Sequence, residues 1–583
     1  MMKLLQHFKE LTVRPKNAQE LKGLILQLAI QGKLTANWRQ EHTDVEFASF
    51  LLERIQSEKV KLIKAKKIRK DKKLPKISNE EFPFIIPNSW EWCRMQEYLD
   101  VRDGTHDTPK YVDKGIPLVT SKNLYTKRLD LSNIKFISEK DHFEISKRSN
   151  VERNDILFAM IGSIGNPVIV DIEPNFSIKN VALIKYYIKE LCVPHFILFF
   201  LEYATKEFKD NSDGAVQSFV SLTKLRMKEF PLPPLEEQKE IVKVVEALFK
   251  EVEQLEQLTV KRISLKEDFV TSALHQLTTN NTQQEWGFLQ DHFKSFFNET
   301  TNIKKLRETV LQLAVQGKLT ADWRASNPEL VSGSHDASEL LKRIQKEKAQ
   351  LIKEKKIKKE KPLPAIKPEE IPYEIPEGWV WCRMQEIGLF ERGKSKHRPR
   401  NDFRLFSDGK YPLVQTGDVS NAKRNGGIIN THKSLYNDFG LAQSRMWNKG
   451  TLCITIAANI AETGILGFDA CFPDSVVGFT EIIDNGNSLA NYVEYFITVM
   501  KSDLEKFAPS TAQKNINLGI LYQLKFPLPP LEEQKAIVEK VNALMGLCDV
   551  LKREVELSQE QSEQLMQSCL REVFEERREE VNV

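Results

Sequence analysis

Residues whose types and spacing could do chemistry are few in this 583-residue chain. Gly388-Leu-Phe-Glu-Arg-Gly393-Lys394-Ser395 fits the pattern of a phosphate-cradling loop, which would hold a nucleotide for hydrolysis. Its context argues against that use. The residues inside the loop are bulky and charged. Lys396-His397-Arg398-Pro399-Arg400 follows, and the proline denies the helix whose N-terminus should face the phosphate. No strand rich in Val and Ile precedes it. The string reads instead as a flexible basic loop. There is no HExxH, no GxSxG, no Asn-Pro-Pro-Tyr pocket to grip a flipped base, and the ten histidines are scattered. Seven cysteines with no CxxC spacing predict neither a disulfide framework nor a zinc site, and suit a reducing cytoplasm. The chain is therefore expected to carry no catalysis, metal or cofactor of its own.

Hydrogen-bonded readout of DNA suits the residues better. Arg102, Thr105, His106, Thr108, Lys110 and Tyr111 cluster in one polar loop, with Lys122 and Asn123 beyond it. Lys394, Lys396, His397, Arg398 and Arg400 form a second loop, and His106 and His397 occupy matching places in the two. Arg and Lys can pair with guanine O6 and N7. Asn and Gln can pair with adenine, which adds Gln217, Gln415, Gln513 and Asn515 to the candidates.

What positions these loops is a duplicated frame. QGKLTA occurs at Gln31–Ala36 and at Gln316–Ala321, each followed by Trp-Arg, Trp38-Arg39 and Trp323-Arg324. A Lys-rich stretch follows in both copies. WCRMQE occurs at Trp92–Glu97 and Trp381–Glu386, and FPLPPLEEQK at Phe230–Lys239 and Phe526–Lys535. Self-similarity of this kind is the mark of an internal repeat. Between WCRMQE and FPLPPLEEQK the copies hardly match, beyond a faint echo of PLVTSKN (Pro117–Asn123) in PLVQTGD (Pro412–Asp418). One scaffold therefore presents two different readers.

The readers, about Glu97–Lys228 and Glu386–Leu524, look mixed α/β, with apolar runs such as Asp155–Ile161 and Thr451–Ile456 and helix-like stretches such as Val193–Tyr203 and Ala490–Val499. After each FPLPPLEEQK the pattern turns helical, with Glu-Glu-Gln suiting the positive end of the helix dipole. Ile537, Val541, Leu544, Cys548, Leu551 and Val555 repeat at heptad spacing, as do Ile241, Val245, Leu248, Val252 and Leu255, rejoined by Phe269 and Ala273. Thr259, Arg262 and Lys266 weaken the middle of the first seam. Two long helices of equal phase favour pairing. If they pair antiparallel, the repeats are related by a pseudo-two-fold axis and the readers sit at opposite ends of a rigid spacer.

The expected boundaries are a helical scaffold segment with its Lys-rich helix over 1–88, a first recognition domain over 89–233, and a coiled-coil helix and linker over 234–302. A second scaffold segment over 303–378, a second recognition domain over 379–529 and a distal coiled-coil helix over 530–583 complete the chain. The fold class is α+β. Net charge is only +4 on 28% charged residues, because opposed regions cancel. Lys59–Lys73 holds nine basic residues and one acid, and Lys346–Lys361 eight and three, whereas Leu531–Val583 holds thirteen acids against seven bases. The Lys-rich runs read either as solvated helical faces or as contacts to phosphate. There is no run of 18 apolar residues and no secretory h-region at the start, so no membrane association is expected.

At FPLPPLEEQK followed by a heptad helix, duplicated around divergent segments, the chain resembles the specificity subunit of type I restriction-modification systems. Gly-Thr-His-x-Thr-Pro-x-Tyr at Gly104–Tyr111, LQLAxQGKL from Leu26 and Leu311, and Ile-Pro-x-x-Trp-x-Trp near Trp90 and Trp379 support the resemblance. In a departure from it, the frame opens with a full QGKL and Lys-rich unit before the first reader. The resemblance implies two target recognition domains, each reading one half of a split site in double-stranded DNA, with an antiparallel coiled coil fixing the gap. It also implies two modification (methyltransferase) subunits as partners, using S-adenosylmethionine to methylate adenine. Restriction (translocase-nuclease) subunits using ATP and Mg can join them. The alternatives are the recognition subunit of a combined restriction-methylation enzyme outside type I, and a coiled-coil scaffold that binds no DNA.

Overall fold

The computed structural model describes residues 14–70, 74–75, 77–78, 81–125, 127–210, 219–279, 283–507 and 515–575. The chain divides into two compact units, Met1–Ile263 with Met566–Val583, and Ser264–Leu565.

In the first unit, helix α1 (Pro15–Ile30) begins on a proline, whose fixed φ suits the first helical position. It buries Leu21, Leu24, Ile25 and Leu28, apolar residues recurring on one helical face. It stops at Gly32, at φ 68°, where a Cβ would lie 2.7 Å from Pro87. Helix α2 (Ala48–Lys64) buries Ala48, Leu51, Ile55 and Lys59 on its inner face.

The two strings that bracket each reader are one piece of structure. Glu91–Arg94 pairs antiparallel with Glu229–Leu232, placing Trp92 opposite Pro231 and Cys93 opposite Phe230. A proline is tolerated there because each ribbon has only two strands, so the missing N–H breaks no further ladder. WCR and FPL are thus the two sides of a ribbon at the neck of the reader. The first reader contains an antiparallel sheet ordered Leu99–Asp103, Val181–Tyr186, Ile156–Ala159, Gly165–Ile169, and a smaller one ordered Lys135–Ile137, Ile116–Val119, Ser177–Ile178. Helix α3 (Pro194–Asp210) packs Phe196 and Phe200 on Phe230, at ring distances of 5.9 and 4.6 Å. The neck leads directly into α4 (Leu235–Thr279), of 45 residues.

The second unit repeats the plan with α5 (Thr300–Val315), α6 (Ala337–Lys353), the ribbon of Val380–Arg383 with Lys525–Leu528, and α8 (Leu531–Glu575). Before α8, helix α7 (Ser488–Val499) sets Tyr492 and Phe496 against Phe526 as α3 sets its phenylalanines against Phe230. Its larger sheet runs Leu389–Arg392, Val476–Thr480, Leu452–Thr455, Thr463–Leu466, Ile428–Ile429. The first four strands reproduce the order in the first reader. The divergent sequences therefore keep one topology, because the central strands Ile156–Ala159, Val181–Tyr186, Leu452–Thr455 and Val476–Thr480 are almost wholly buried and tolerate exchange of one apolar residue for another.

The α8 seam is buried as its spacing predicts: Ile537, Val541, Cys548 and Val555 are buried and Leu544 and Leu551 half-buried. In α4 the seam slips. Thr259 is buried at 5% exposure, and Val270 at 0% takes the place expected for Phe269, which is 38% exposed. The inner face continues through half-buried Ile263 and Lys266 to Val270, a four-residue step that shifts the phase of the stripe. Lys318 of the second QGKL donates to the Thr278 carbonyl at 2.6 Å, capping the last turn of α4. Among the described residues no helix is long and apolar enough to cross a membrane.

Candidate nucleic-acid interface

Each reader hangs from a buried glutamate. Glu237, the second acid of LEEQ, is 0% exposed. Its Oε1 accepts from the Thr35 hydroxyl at 2.6 Å and from Arg39, and its Oε2 accepts from the Trp90 indole N–H at 2.9 Å. Arg39 also donates to the Gly32 carbonyl. The second copy is the same: Thr320 at 2.6 Å, Arg324, and Trp379 at 2.7 Å converge on Glu533, likewise 0% exposed. A lone buried carboxylate would be several kcal/mol unfavourable; here both oxygens are satisfied and the charge is paired. The two acids do stand in the first turn of each long helix, as expected, and the second of them also serves this hub. QGKLT, Trp-Arg, the neck tryptophan and LEEQ recur together because they build one hub. A second clasp holds the neck. The Arg94 guanidinium donates to the Met227 carbonyl at 3.0 Å and to Glu81 and Glu229, and Arg383 donates to the Gln523 carbonyl at 2.9 Å and to Glu370 at 3.2 Å.

The two candidate loops leave equivalent strand ends. Gly104 N–H donates to Val181 and Thr105 N–H to the Ile178 carbonyl, at 2.9 and 3.0 Å. Gly393 N–H donates to Val476 and Lys394 N–H to the Phe472 carbonyl, at 2.8 and 3.0 Å. A Cβ on Gly104 would meet the Ile178 oxygen at 2.4 Å, and one on Gly393 the Phe472 oxygen at 2.3 Å. Glycine is needed at both because backbone crosses backbone there. Thr105 and Lys394 are therefore structural counterparts. The histidines are not: His106 corresponds to Ser395, and His397 lies two residues further on.

In the first loop His106, Thr108, Lys110 and Tyr111 are exposed. The His106 ring meets Asp103 at 2.8 Å, and Asp103 also receives Arg148. Arg102 turns back to Asp100 at 2.6 Å. Lys179 donates to Thr108, and Lys135 stands 4.3 Å over the Tyr111 ring. Lys122 is exposed. Asn123 is a correction. It is buried at 6%, accepts from Thr120 N–H at 2.9 Å and donates to the Asp130 carbonyl at 2.9 Å, so its side chain is spent inside the fold. Asp418 accepts from Gln415 N–H at 2.9 Å in the same way, which explains the PLVTSKN echo as a helix-capping turn.

In the second loop Lys394, Lys396, Arg398 and Arg400 are exposed, and Gln415 and Asn515 are exposed as well. The His397 ring meets Asp402 at 2.7 Å and packs edge-on to Phe439. Arg404, then His397, hold the Asp402 carboxyl well below the usual carboxylate range. Arg400 pairs with Asp474. Asn515 forms a bridge to Ala457. The nucleotide-loop pattern is dismissed by geometry. Its interior, Leu389–Arg392, is a strand paired with Val476–Thr480, with Phe390 1% exposed in the core. The basic loop begins only at Gly393, so the expectation of a loop over the whole pattern is corrected. Gln217 and Gln513 lie outside the described residues. Arg148, Lys179 and Asp474, which hold these loops, carry no sequence signal because they come from distant strands and helices.

A family model for the type I restriction modification DNA specificity domain matches residues 87–262 and 376–557. The chain is 30% identical over 572 residues to the type I restriction enzyme EcoAI specificity subunit of Escherichia coli, covering 92% of this chain and 90% of the relative. It is 27% identical over 585 residues to the EcoEI specificity subunit of the same organism, covering 93% and 91%. Among solved structures, the HsdS subunit from Thermoanaerobacter tengcongensis matches with a TM-score of 0.39 at 17% identity, over 84% of this chain and 98% of that one. Both family matches open just before the hub tryptophans, Trp90 and Trp379, and run on into the long helices, and by them the chain belongs to the type I restriction-modification DNA specificity family.

Proposed function

We propose that this chain reads a two-part, asymmetric DNA site for a type I restriction-modification complex, each reader taking one half. The observation that carries this reading is the contrast within each copy. The hub on Glu237 or Glu533 is identical in partners, whereas the loops after Gly104 and Gly393 present different side chains from the same strand end. A constant mount with exchangeable tips is what two independent half-site readers need. Thr105, His106, Thr108, Lys110, Tyr111 and Lys122 on one reader, and Lys394, Lys396, His397, Arg398, Arg400, Gln415 and Asn515 on the other, supply donors and acceptors for base edges and phosphates. Arg102 becomes available only by releasing Asp100.

On this reading the 45-residue helices α4 and α8 form an antiparallel coiled coil, about 68 Å long, that sets the gap between half-sites. The matching scaffold halves bind two copies of one modification subunit, since equal surfaces bind equal partners. Adenine methylation with S-adenosylmethionine, and translocation and cleavage with ATP and Mg, belong to the partner subunits, which act in the cytoplasm. Replacing Glu97–Lys228 with the corresponding reader of a relative tests the proposal. Methylome sequencing of cells expressing the hybrid with its modification partner is expected to show one half of the site changed and the other kept. An unchanged site refutes it.

A further inference from the structure

The scaffold ends its helices in two different ways. Helices α1 and α5 close with a Schellman turn in which the left-handed position is glycine. Gly32 N–H meets the Ala29 carbonyl and Lys33 N–H the Leu28 carbonyl, at 3.0 and 2.9 Å, and Gly317 and Lys318 repeat this at 3.1 and 3.0 Å. Helices α2 and α6 close with the same turn, but a lysine takes the glycine's place. Lys66 N–H meets Ile63 and Lys67 N–H meets Leu62, at 3.0 and 2.9 Å. Lys355 N–H meets Ile352 and Lys356 N–H meets Leu351, both at 3.0 Å. Lys66 stands at φ 56° and Lys355 at φ 58°. A side chain there is strained by roughly 1–2 kcal/mol, and glycine is the common solution. Both copies forgo it, and both lysines are exposed, with no packing that asks for a side chain.

The lysines come in company. Lys61, Lys64, Lys66, Lys67, Arg69 and Lys70 are all exposed, as are Lys353, Lys355, Lys356, Lys358 and Lys359. Among the described residues the carboxylates that meet these two runs are Glu58, 3.2 Å from Lys61, and Glu354, 2.9 Å from Lys356. One lysine of each helix is spent differently. Lys59, 8% exposed, donates to the Gln96 carbonyl at 2.9 Å, and Lys348, also 8% exposed, donates to the Gln385 carbonyl at 2.7 Å. Gln96 and Gln385 belong to the neck strings, so each basic helix end is fixed to the root of its reader.

We propose that these two helix ends are matched, sequence-independent clamps on the phosphate backbone beside each half-site, with Lys66 and Lys355 held at their tips. The proposal rests on the reading of the chain as a DNA reader and adds to it where the non-specific part of the affinity lies. Lysine suits this task, being a compact, hydrated point charge on a flexible stem. Equal clamps on unequal readers fit a contact that carries no sequence information.

The test uses the full chain assembled with its partner subunits, with random-sequence duplex DNA and target-bearing duplex as probes over a range of salt. The first variant is Lys66→Gly with Lys355→Gly. The second replaces Lys64, Lys66, Lys67, Lys70, Lys353, Lys355, Lys358 and Lys359 with Gln, and a third replaces the same eight with Arg. The Gln variant is expected to lose affinity for both duplexes by the same factor, at least about tenfold at low salt. Its salt slope is expected to be smaller by about 0.9 for each phosphate that is no longer neutralised. The Gly variant is expected to melt no lower than the parent and still lose part of the slope, and the Arg variant to keep it. An unchanged slope overturns the proposal, as does a loss confined to the target duplex. Failure of the Gln variant to assemble with its partners overturns it too, and assigns the runs to an acidic protein surface. In each of those cases the parent chain's preference for its target still stands as the separate measure of the DNA-reading function.

Discussion

Trp90 and Glu237 are 147 residues apart in the chain and 2.9 Å apart in the fold, the indole N–H donating to a carboxylate that no solvent reaches. Removing that carboxylate leaves Arg39 without its counter-charge and Trp90 without an acceptor. Glu237→Ala is expected to destabilise the protein by about 3–5 kcal/mol, and Glu533→Ala by a similar amount. Gln in place of either Glu keeps the shape and one acceptor oxygen, enough for one side of the hub, and is expected to be milder than Ala. Urea unfolding of the four variants checks this, and equal stability of parent and Glu237→Ala would contradict the hub.

Gly104→Ala puts a Cβ at 2.4 Å from the Ile178 carbonyl oxygen and so displaces the first loop. Gly393→Ala does the same to the second loop, 2.3 Å from the Phe472 oxygen. Each is expected to lower discrimination in one half of the DNA site alone, by roughly tenfold or more, the worth of about one good base pairing. Methylation of substrates altered in one half at a time measures it. An effect on both halves from a single substitution would show that the loops do not act separately.

The spacer makes a length prediction. If α4 and α8 pair antiparallel as proposed, deleting one heptad from both shortens the pair by about 10 Å, or about three base pairs. The expected methylome keeps both half-sites and narrows the gap. A site with its gap intact removes the ruler from the account.

Glu494 on α7 makes a prediction about pH. Burial pushes its carboxyl up to about 7, against the opposing pull of Thr463 and Lys423. The folded chain then binds a proton that the unfolded chain, titrating near 4.5, has released. The contribution of Glu494 to stability is therefore full below pH 4.5 and is lost as pH rises from about 4.5 to 7, about 3 kcal/mol in all. Glu494→Gln is expected to flatten that window and to raise the melting temperature at pH 8. Thermal melts of both proteins across pH 4.5–8 decide it, and parallel profiles would exclude Glu494 as the cause.

Much of the scaffold is legible in the sequence because its signals are local. The 4-3-4 spacing from Ile537 to Val555 names the face that is buried, and the proline before each LEEQ names where the helix begins. Thr259 and Val270 show the limit. A heptad count carried past Leu255 predicts Phe269 inside, but a four-residue step puts Val270 there and leaves Phe269 38% exposed, stacked on Phe296 at 4.8 Å. Asn123 escapes a reading from sequence for a related reason. An Asn after a strand can equally read a base or cap a turn, and only the positions of Thr120 and Asp130 show that it caps.

The sequence alone determined that the chain is a frame used twice around unlike contents, and with it the family, the two readers and the two long helices. Repetition is visible in a string because identical residues need no partner to be recognised. Tertiary structure alone decided what the repeated residues are for. Thr35, Arg39, Trp90 and Glu237 are spread over about two hundred residues, and no periodicity announces that they share one carboxylate. A buried charge is tolerated only where all its partners arrive together, and that is a property of the folded chain.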